Sequence, residues 1–308
     1  MKSILLGIIL SARPRHWIKN LAIFAPIFFA GRFFEPWELF VTSIGFIAFC
    51  LLSSSHYIFN DLLDAPVDRL HPYKKYRPIA SGFLPAYVGL AAMVILGTVG
   101  FTLSFILGMR FFTIAALFIA LHVAGSAYLR RFAVVDILTI ASGYILRVYA
   151  GVAAAHQEIS IWLTLALLSL ALFFAIGKRC AEFVLTGRQR KQFQKEVITH
   201  YSEKLLNTYV AMFGTATFIT YAYYTFLATF SSGGFLIKSN SAVATFIDRK
   251  WMMATIPFVL YGIMRYLQLV FEAKTGTLEK ILTSDRPLMI TGILWAGTVF
   301  LVVYGIGR

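Results

Sequence analysis

The chain has 308 residues, of which 59% are hydrophobic and 14% charged, with a mean hydropathy of +0.75. That composition excludes a soluble domain and predicts one all-α domain, residues 1–308, that crosses a membrane several times. The net charge of +14 is basic, yet Lys and Arg are not interleaved with aromatics on a soluble face, so nucleic acid is excluded as a partner. Cys50 and Cys180 sit in apolar contexts and read as packing residues, neither a disulfide framework nor a zinc site.

The N-terminus carries an apolar run from Ile4 to Leu10, too short to span, followed at once by Arg13, Arg15 and Lys19. An interfacial helix over residues 1–17 is the expectation. Stretches of membrane length then fall at 18–34, 38–59, 85–108, 111–129, 134–155, 160–177, 206–230, 252–271 and 288–306, which predicts nine spans. Pro26 and Gly31 interrupt the first. The boundary between the third and fourth rests on Gly108-Met109-Arg110.

With the N-terminus inside, most of the 28 basic residues face the cytoplasm, and Arg32, Arg110, Lys238, Arg249, Lys250 and Arg308 lie outside. This obeys the positive-inside rule and puts the C-terminus outside a plasma or inner membrane. Most acids fall on the inner side too. The rule does not require that, whereas a polar reaction centre facing the cytoplasm does.

The second stretch ends in the densest polar segment, N-D-L-L-D-A-P-V-D-R-L-H-P-Y-K-K-Y-R-P-I-A-S-G, from Asn60 to Gly82. Asn60, Asp64 and Asp68 are four apart and share a helical face, and Asp61 is three from Asp64. Pro66 is expected to end or kink the helix near Asp64, leaving an ordered loop beyond it. An Asn and three Asp make a hard-oxygen set suited to Mg2+, which is held by one or two carboxylates and shared with substrate phosphates. Lys74, Lys75 and Arg77 would bind the remaining phosphate oxygens. A metal-bound diphosphate is the ligand this pattern describes. A solvated basic loop explains the Lys and Arg but not the spaced acids. Upstream, His56 reads as a structural histidine and Tyr57 as a substrate contact.

Further polar residues follow in order. Lys19 opens the first stretch as a phosphate ligand or an interfacial anchor. Arg130 and Arg131 occupy a short turn before Asp136. Arg147 lies about three turns deeper, where an arginine faces a cavity, an acidic partner or a lipid phosphate. The sixth stretch ends in G-K-R-C-A-E, with Lys178, Arg179 and Glu182. A basic loop and then Tyr201-Ser202-Glu203-Lys204 come next.

N-D-x-x-D-x-x-x-D-R followed by K-x-x-R-P-I-A-S-G resembles the first aspartate-rich motif of the UbiA superfamily of intramembrane prenyltransferases. D-R-x-H-P-x-K-x-x-R-P is similar to the decaprenyl-phosphate phosphoribosyltransferase branch, as are R-P-x-x-W-x-K-N at the start, V-V-D with G-Y-I-L-R-V-Y-A-G, and G-K-R-x-A-E. The chain departs from ordinary UbiA enzymes in having no second D-x-x-x-D motif. The resemblance covers Arg13 to about Arg286. It implies nine transmembrane helices in a UbiA-type bundle around a cavity, with Mg2+ as cofactor on Asn60, Asp61, Asp64 and Asp68. It also implies substrate contacts from Lys19, Tyr57, Lys74, Arg77, Arg131, Arg147, Lys178, Arg179, Glu182, Tyr201 and Lys204.

The reaction implied is transfer of phosphoribose from phosphoribosyl pyrophosphate to a long polyprenyl phosphate, as a step supplying arabinose for cell-wall polysaccharide. An alternative is ordinary UbiA chemistry, moving a polyprenyl group from its diphosphate to an aromatic or other small acceptor. A third is a transporter, which the absence of an inverted repeat disfavours. An assembly of several copies is compatible with the sequence.

Overall fold

The computed structural model describes residues 2–70, 74–129, 132–188, 201–227, 251–272 and 284–306, and every regular element among them is helical. The chain divides into two compact units. One comprises Met1–Ala25, Pro36–Arg130 and Leu146–His156, the other Pro26–Glu35, Arg131–Ile145 and Gln157–Arg308.

The first unit opens with α1 (Lys2–Ala12) and a 3-10 segment, Pro14–Phe24. Its main body is α3 (Pro36–Asp68) against α4 (Ala86–Ile106) and α5 (Met109–Ala127). Lipid gives helices no hydrophobic reason to associate, so close backbone approach through small residues must supply the packing. Gly100 does this: a Cβ there would stand 2.8 Å from Leu52 Cγ. The serines of α3 add polar ties. Ser55 donates to the carbonyl of Met93 at 2.8 Å, and Ser54 donates to that of Ala12 at 3.0 Å. Gly108, at a φ of 108°, makes the break between α4 and α5 where a side chain would be strained.

The second unit holds α2 from Pro26 onward, the first turns of α6 (Ala133–Ala155), α7 (Ile161–Arg188), α8 (Glu203–Leu227), α9 (Ile256–Phe271) and α10 (Arg286–Phe300). Helix α2 itself runs Ala25–Phe29. Phe173, Ile176, Leu206, Tyr266 and Val270 form the core of this unit. Asp285 caps α10 by accepting from the Leu288 N–H at 2.9 Å, and it also receives Arg265 at 2.7 Å.

Seven helices among the described residues are long and apolar enough to span a membrane, which makes this a multi-pass membrane protein. Two of the nine expected spans differ. Residues 18–34 form no continuous α-helix: the 3-10 segment runs to Phe24, α2 to Phe29, and Gly31 then turns the chain at a φ of 74°. The freed backbone groups find Tyr304, whose hydroxyl accepts from Phe33 N–H at 3.0 Å and donates to Phe28 carbonyl at 3.1 Å. Helix α8 is long enough, but its threonines and tyrosines lower its hydropathy. Thr208, Thr217 and Thr220 return their hydroxyls to carbonyls one turn back.

Candidate active site

Helix α3 runs through Asp64 and Pro66 to Asp68, one turn beyond the end that Pro66 predicts. Pro66 lies in the last turn, where its missing N–H costs a single helical bond. The continuous helix lines up Asp61, Asp64 and Asp68 at spacings of three and four, one above the other. Asp61 and Asp68 are each 2% exposed as side chains, while Asp64 is 43% exposed. Asn60 meets His56 Nε2 at 2.8 Å.

Beyond the helix, a 3-10 turn at Lys74–Tyr76 returns the chain, and Arg77 N–H donates to the Lys74 carbonyl at 2.9 Å. The segment R-P-I-A-S-G then anchors itself. Ile79 and Leu84 are buried among Ile58, Ala65 and Ala92. Leu84 N–H bonds the Pro78 carbonyl at 2.8 Å, and Gly82 takes a φ of 79°. Burial of two aliphatic side chains thus fixes the arginine that precedes them.

The result is a compact charge cluster. Arg77 Nη1 lies 2.5 Å from Asp68, 3.3 Å from Asp61 and 3.9 Å from Asp64. Lys74 Nζ is 3.8 Å from Asp68. Arg13 Nη2 reaches Asp61 Oδ1 at 2.5 Å, its guanidinium 5.4 Å from the centre of the Tyr57 ring. Oxygens of three carboxylates therefore converge on one cationic nitrogen. The donor set is hard oxygen and suits Mg2+. Among the described residues, no three acidic, imidazole or thiol groups already stand as a metal cage; the guanidiniums of Arg13 and Arg77 engage the oxygens instead.

Arg147, at 4% exposure, donates through Nε to Asn20 Oδ1 at 2.7 Å and stacks over Phe118 at 4.6 Å. Asn20 in turn donates to Cys50 Sγ at 3.3 Å. Arg147 is thus built into the core of the first unit, tying α6 to the 3-10 segment. Lys19 is half-buried on that same segment.

In the second unit, α7 continues through Lys178, Arg179 and Glu182. Arg179 is the centre of a buried network. It grips both oxygens of Asp136 at 2.5 Å through Nε and Nη2, and its Nη1 donates to Glu182. Tyr201, outside the spans, donates to the carbonyl of Ala133; burial pushes its phenol above the ordinary tyrosine pKa. The guanidinium of Arg179 is engaged by the two carboxylates of Asp136 and Glu182. Lys178 is half-buried and Lys204 exposed in the first turn of α8. Arg131 lies outside the described residues.

Between α7, α8, α9 and α10 lies a cavity of about 270 Å³. Its walls are almost wholly apolar, including Leu167, Phe174, Phe258 and Ile263, with Tyr221 and Trp295 at one side. Tyr221 is fixed by Trp295 Nε1 at 2.8 Å and Thr255 Oγ1 at 2.7 Å.

Two pairings carry no clear signal in the sequence. Arg13 opens the R-P-x-x-W-x-K-N motif that it shares with Lys19 and Asn20, but nothing in the motif marks it as the one that meets an acid. Asp136 is marked by the V-V-D motif and by its place at the head of a helix that also carries Arg147, but nothing there names Arg179 as its partner.

The model of the UbiA prenyltransferase family matches residues 21–180. Along nearly its whole length the chain is 32% identical to the decaprenyl-phosphate phosphoribosyltransferase of Mycolicibacterium smegmatis, covering 98% of this chain and 94% of that one. The chain belongs to the UbiA prenyltransferase family. It is therefore a membrane transferase. The enzyme of the same name from Corynebacterium glutamicum is 30% identical, over 97% of this chain and 87% of the relative. A UbiA homolog from Archaeoglobus fulgidus bound to GPP and Mg2+ shares the fold, at 19% identity and a TM-score of 0.68, over 96% of this chain and 99% of that one. Solved members of the family thus hold Mg2+.

Proposed function

We propose that this UbiA-family enzyme transfers 5-phosphoribose from phosphoribosyl pyrophosphate to a long-chain, decaprenyl-type polyprenyl phosphate and releases pyrophosphate. One observation carries the reading: the carboxylates of Asp61, Asp64 and Asp68 converge on Arg77 Nη1, with Arg13 and Lys74 in contact with the same acids. That arrangement suits a metal-bound diphosphate. The names of the relatives at 32% and 30% identity support the ribosyl donor and the lipid acceptor.

In this reading an oxygen of the lipid phosphate attacks the anomeric carbon. The bond from that carbon to pyrophosphate breaks, and its electron pair leaves with the pyrophosphate. The attacking oxygen is already ionised, so no general base is needed. Asn60, Asp61, Asp64 and Asp68 would hold Mg2+, whose charge offsets that of the leaving group. Lys74 and Arg77 bind diphosphate oxygens, each gaining charge-assisted hydrogen bonds. Lys19 and Tyr57 contribute from the first unit. In the second unit Lys178, Glu182 and Lys204, with Arg131, are assigned to substrate binding. Arg179 and Tyr201, held by Asp136 and the Ala133 carbonyl, and Arg147, held by Asn20, belong to the same substrate-binding set. The apolar cavity of the second unit takes isoprenoid chain. The N-terminus and the acidic motif face the cytoplasm and the C-terminus lies outside.

The test is membrane-extracted enzyme incubated with Mg2+, labelled phosphoribosyl pyrophosphate and polyprenyl phosphate, followed by organic extraction. Label should pass to the lipid phase, and Asp64→Asn should abolish the transfer. No transfer by a folded enzyme that binds a prenyl diphosphate would overturn the assignment.

A further inference from the structure

Arg13 stands apart among the cations of the acidic cluster. It comes from the N-terminal segment, 48 residues from its partner Asp61. Its backbone is left-handed, at φ 52° and ψ 61°, directly before Pro14. A non-glycine residue there carries strain and persists only where its surroundings fix it. The surroundings do so here. Ser54 holds the Ala12 carbonyl at 3.0 Å, His16 N–H holds the Arg13 carbonyl at 2.9 Å, and Trp17 Nε1 donates to Ser54 at 3.0 Å. The chain is bent so that this one guanidinium meets Asp61.

The charges then balance. Asp61, Asp64 and Asp68 are matched by Arg13, Lys74 and Arg77, all in contact. A divalent cation arriving alone would enter a cluster that is already neutral and would compete with two guanidiniums for the same carboxylate oxygens. A diphosphate arriving with the metal brings several negative charges and oxygens that accept from those guanidiniums.

We propose that Arg13 is a positioning residue that holds Asp61 against a lone divalent cation and passes to the phosphates when metal and diphosphate arrive together. Metal and diphosphate binding are then coupled through one side chain, each raising the affinity for the other. This rests on the metal-diphosphate reading given above.

The experiment uses the full chain in detergent and two probes measured separately: Mn2+ alone, by electron paramagnetic resonance, and labelled inorganic pyrophosphate at saturating Mg2+. Arg13→Ala should bind Mn2+ alone about tenfold more tightly than the unaltered protein, the low end of what one opposite charge does to a carboxylate's ion affinity. The same variant should bind pyrophosphate about tenfold more weakly, having lost a charged donor. Arg13→Gln, which keeps a polar side chain there, should move both affinities in the same two directions, and Arg13→Lys should restore both towards the original values. Affinities that fall together, or do not move, would overturn the proposal, since a purely structural role weakens both ligands. Asp64→Asn separates the two readings. If it leaves Mn2+ binding in the presence of pyrophosphate intact, the metal assignment itself fails; if it abolishes that binding while Arg13→Ala changes nothing, only the role of Arg13 fails.

Discussion

Replacing Asp136 by Ala tests the buried network of the second unit. Arg179 is 5% exposed as a side chain and Asp136 2%. Asp136 takes two of the guanidinium's three observed bonds, leaving Glu182 as the third partner. Removing one member of such a pair strands a charge in a dry interior and costs about 3–5 kcal/mol. Glu182 retains a share of the compensation, so the lower end, about 3 kcal/mol, is expected. Removing both partners is far cheaper, because the desolvation cost of the stranded guanidinium disappears with it. The assay is a double-mutant cycle on detergent-solubilised protein, comparing Asp136→Ala, Arg179→Met and the pair by reversible denaturation. A coupling of about 2 kcal/mol or more is expected, with the double variant more stable than Asp136→Ala alone. Additive losses would refute the argument, since they would mean that Arg179 is solvated or compensated elsewhere.

Gly100→Ala would place a Cβ 2.8 Å from Leu52 Cγ and 3.2 Å from the Ala48 carbonyl; the helices must separate, at about 1–3 kcal/mol, and an unchanged melting temperature would deny the close α3–α4 approach. Gly262 borders the apolar cavity, and a Cβ added there would have no neighbouring atom within 4 Å. Gly262→Leu should therefore fold normally while raising KM for the lipid acceptor several-fold and leaving KM for phosphoribosyl pyrophosphate unchanged; equal KM values for the lipid would remove the cavity from the acceptor's path. The Tyr201 phenol is held above its ordinary pKa by burial first and by the Asp136 carboxylate second. A raised phenol pKa means that the folded state favours the neutral form, so its stability is complete below the unfolded value, about 10, and is lost as pH rises beyond it. Tyr201→Phe should thus lower stability by about 1 kcal/mol near neutrality and flatten the loss of stability above pH 10, read by thermal denaturation across pH.

Much of the fold is legible along the chain, because a membrane span needs only length and apolarity and both are local properties. The boundary at Gly108 is legible for a similar reason: a positive φ selects glycine. The first expected span fails where hydropathy alone is followed, since the helix ends at Phe29, Gly31 turns the chain, and Tyr304, far away in sequence, makes the break tolerable. The acidic motif is legible too, as spacings of three and four on a helix bring carboxylates together whatever surrounds them. Pro66 misleads because its cost is one lost bond and a clash with the carbonyl four residues earlier, and whether packing around α3 offsets that is not a local property.

The sequence by itself determined the membrane class, the acidic face of α3 and the basic residues that follow it, since each depends on residue type and on separations of a few positions. Which cation meets which carboxylate was decided only by the tertiary structure. Arg13 reaches Asp61 across 48 residues, and Arg179 reaches Asp136 across 43. Both contacts depend on how separate helices pack, and side-chain pairing over such distances leaves no period in the chain.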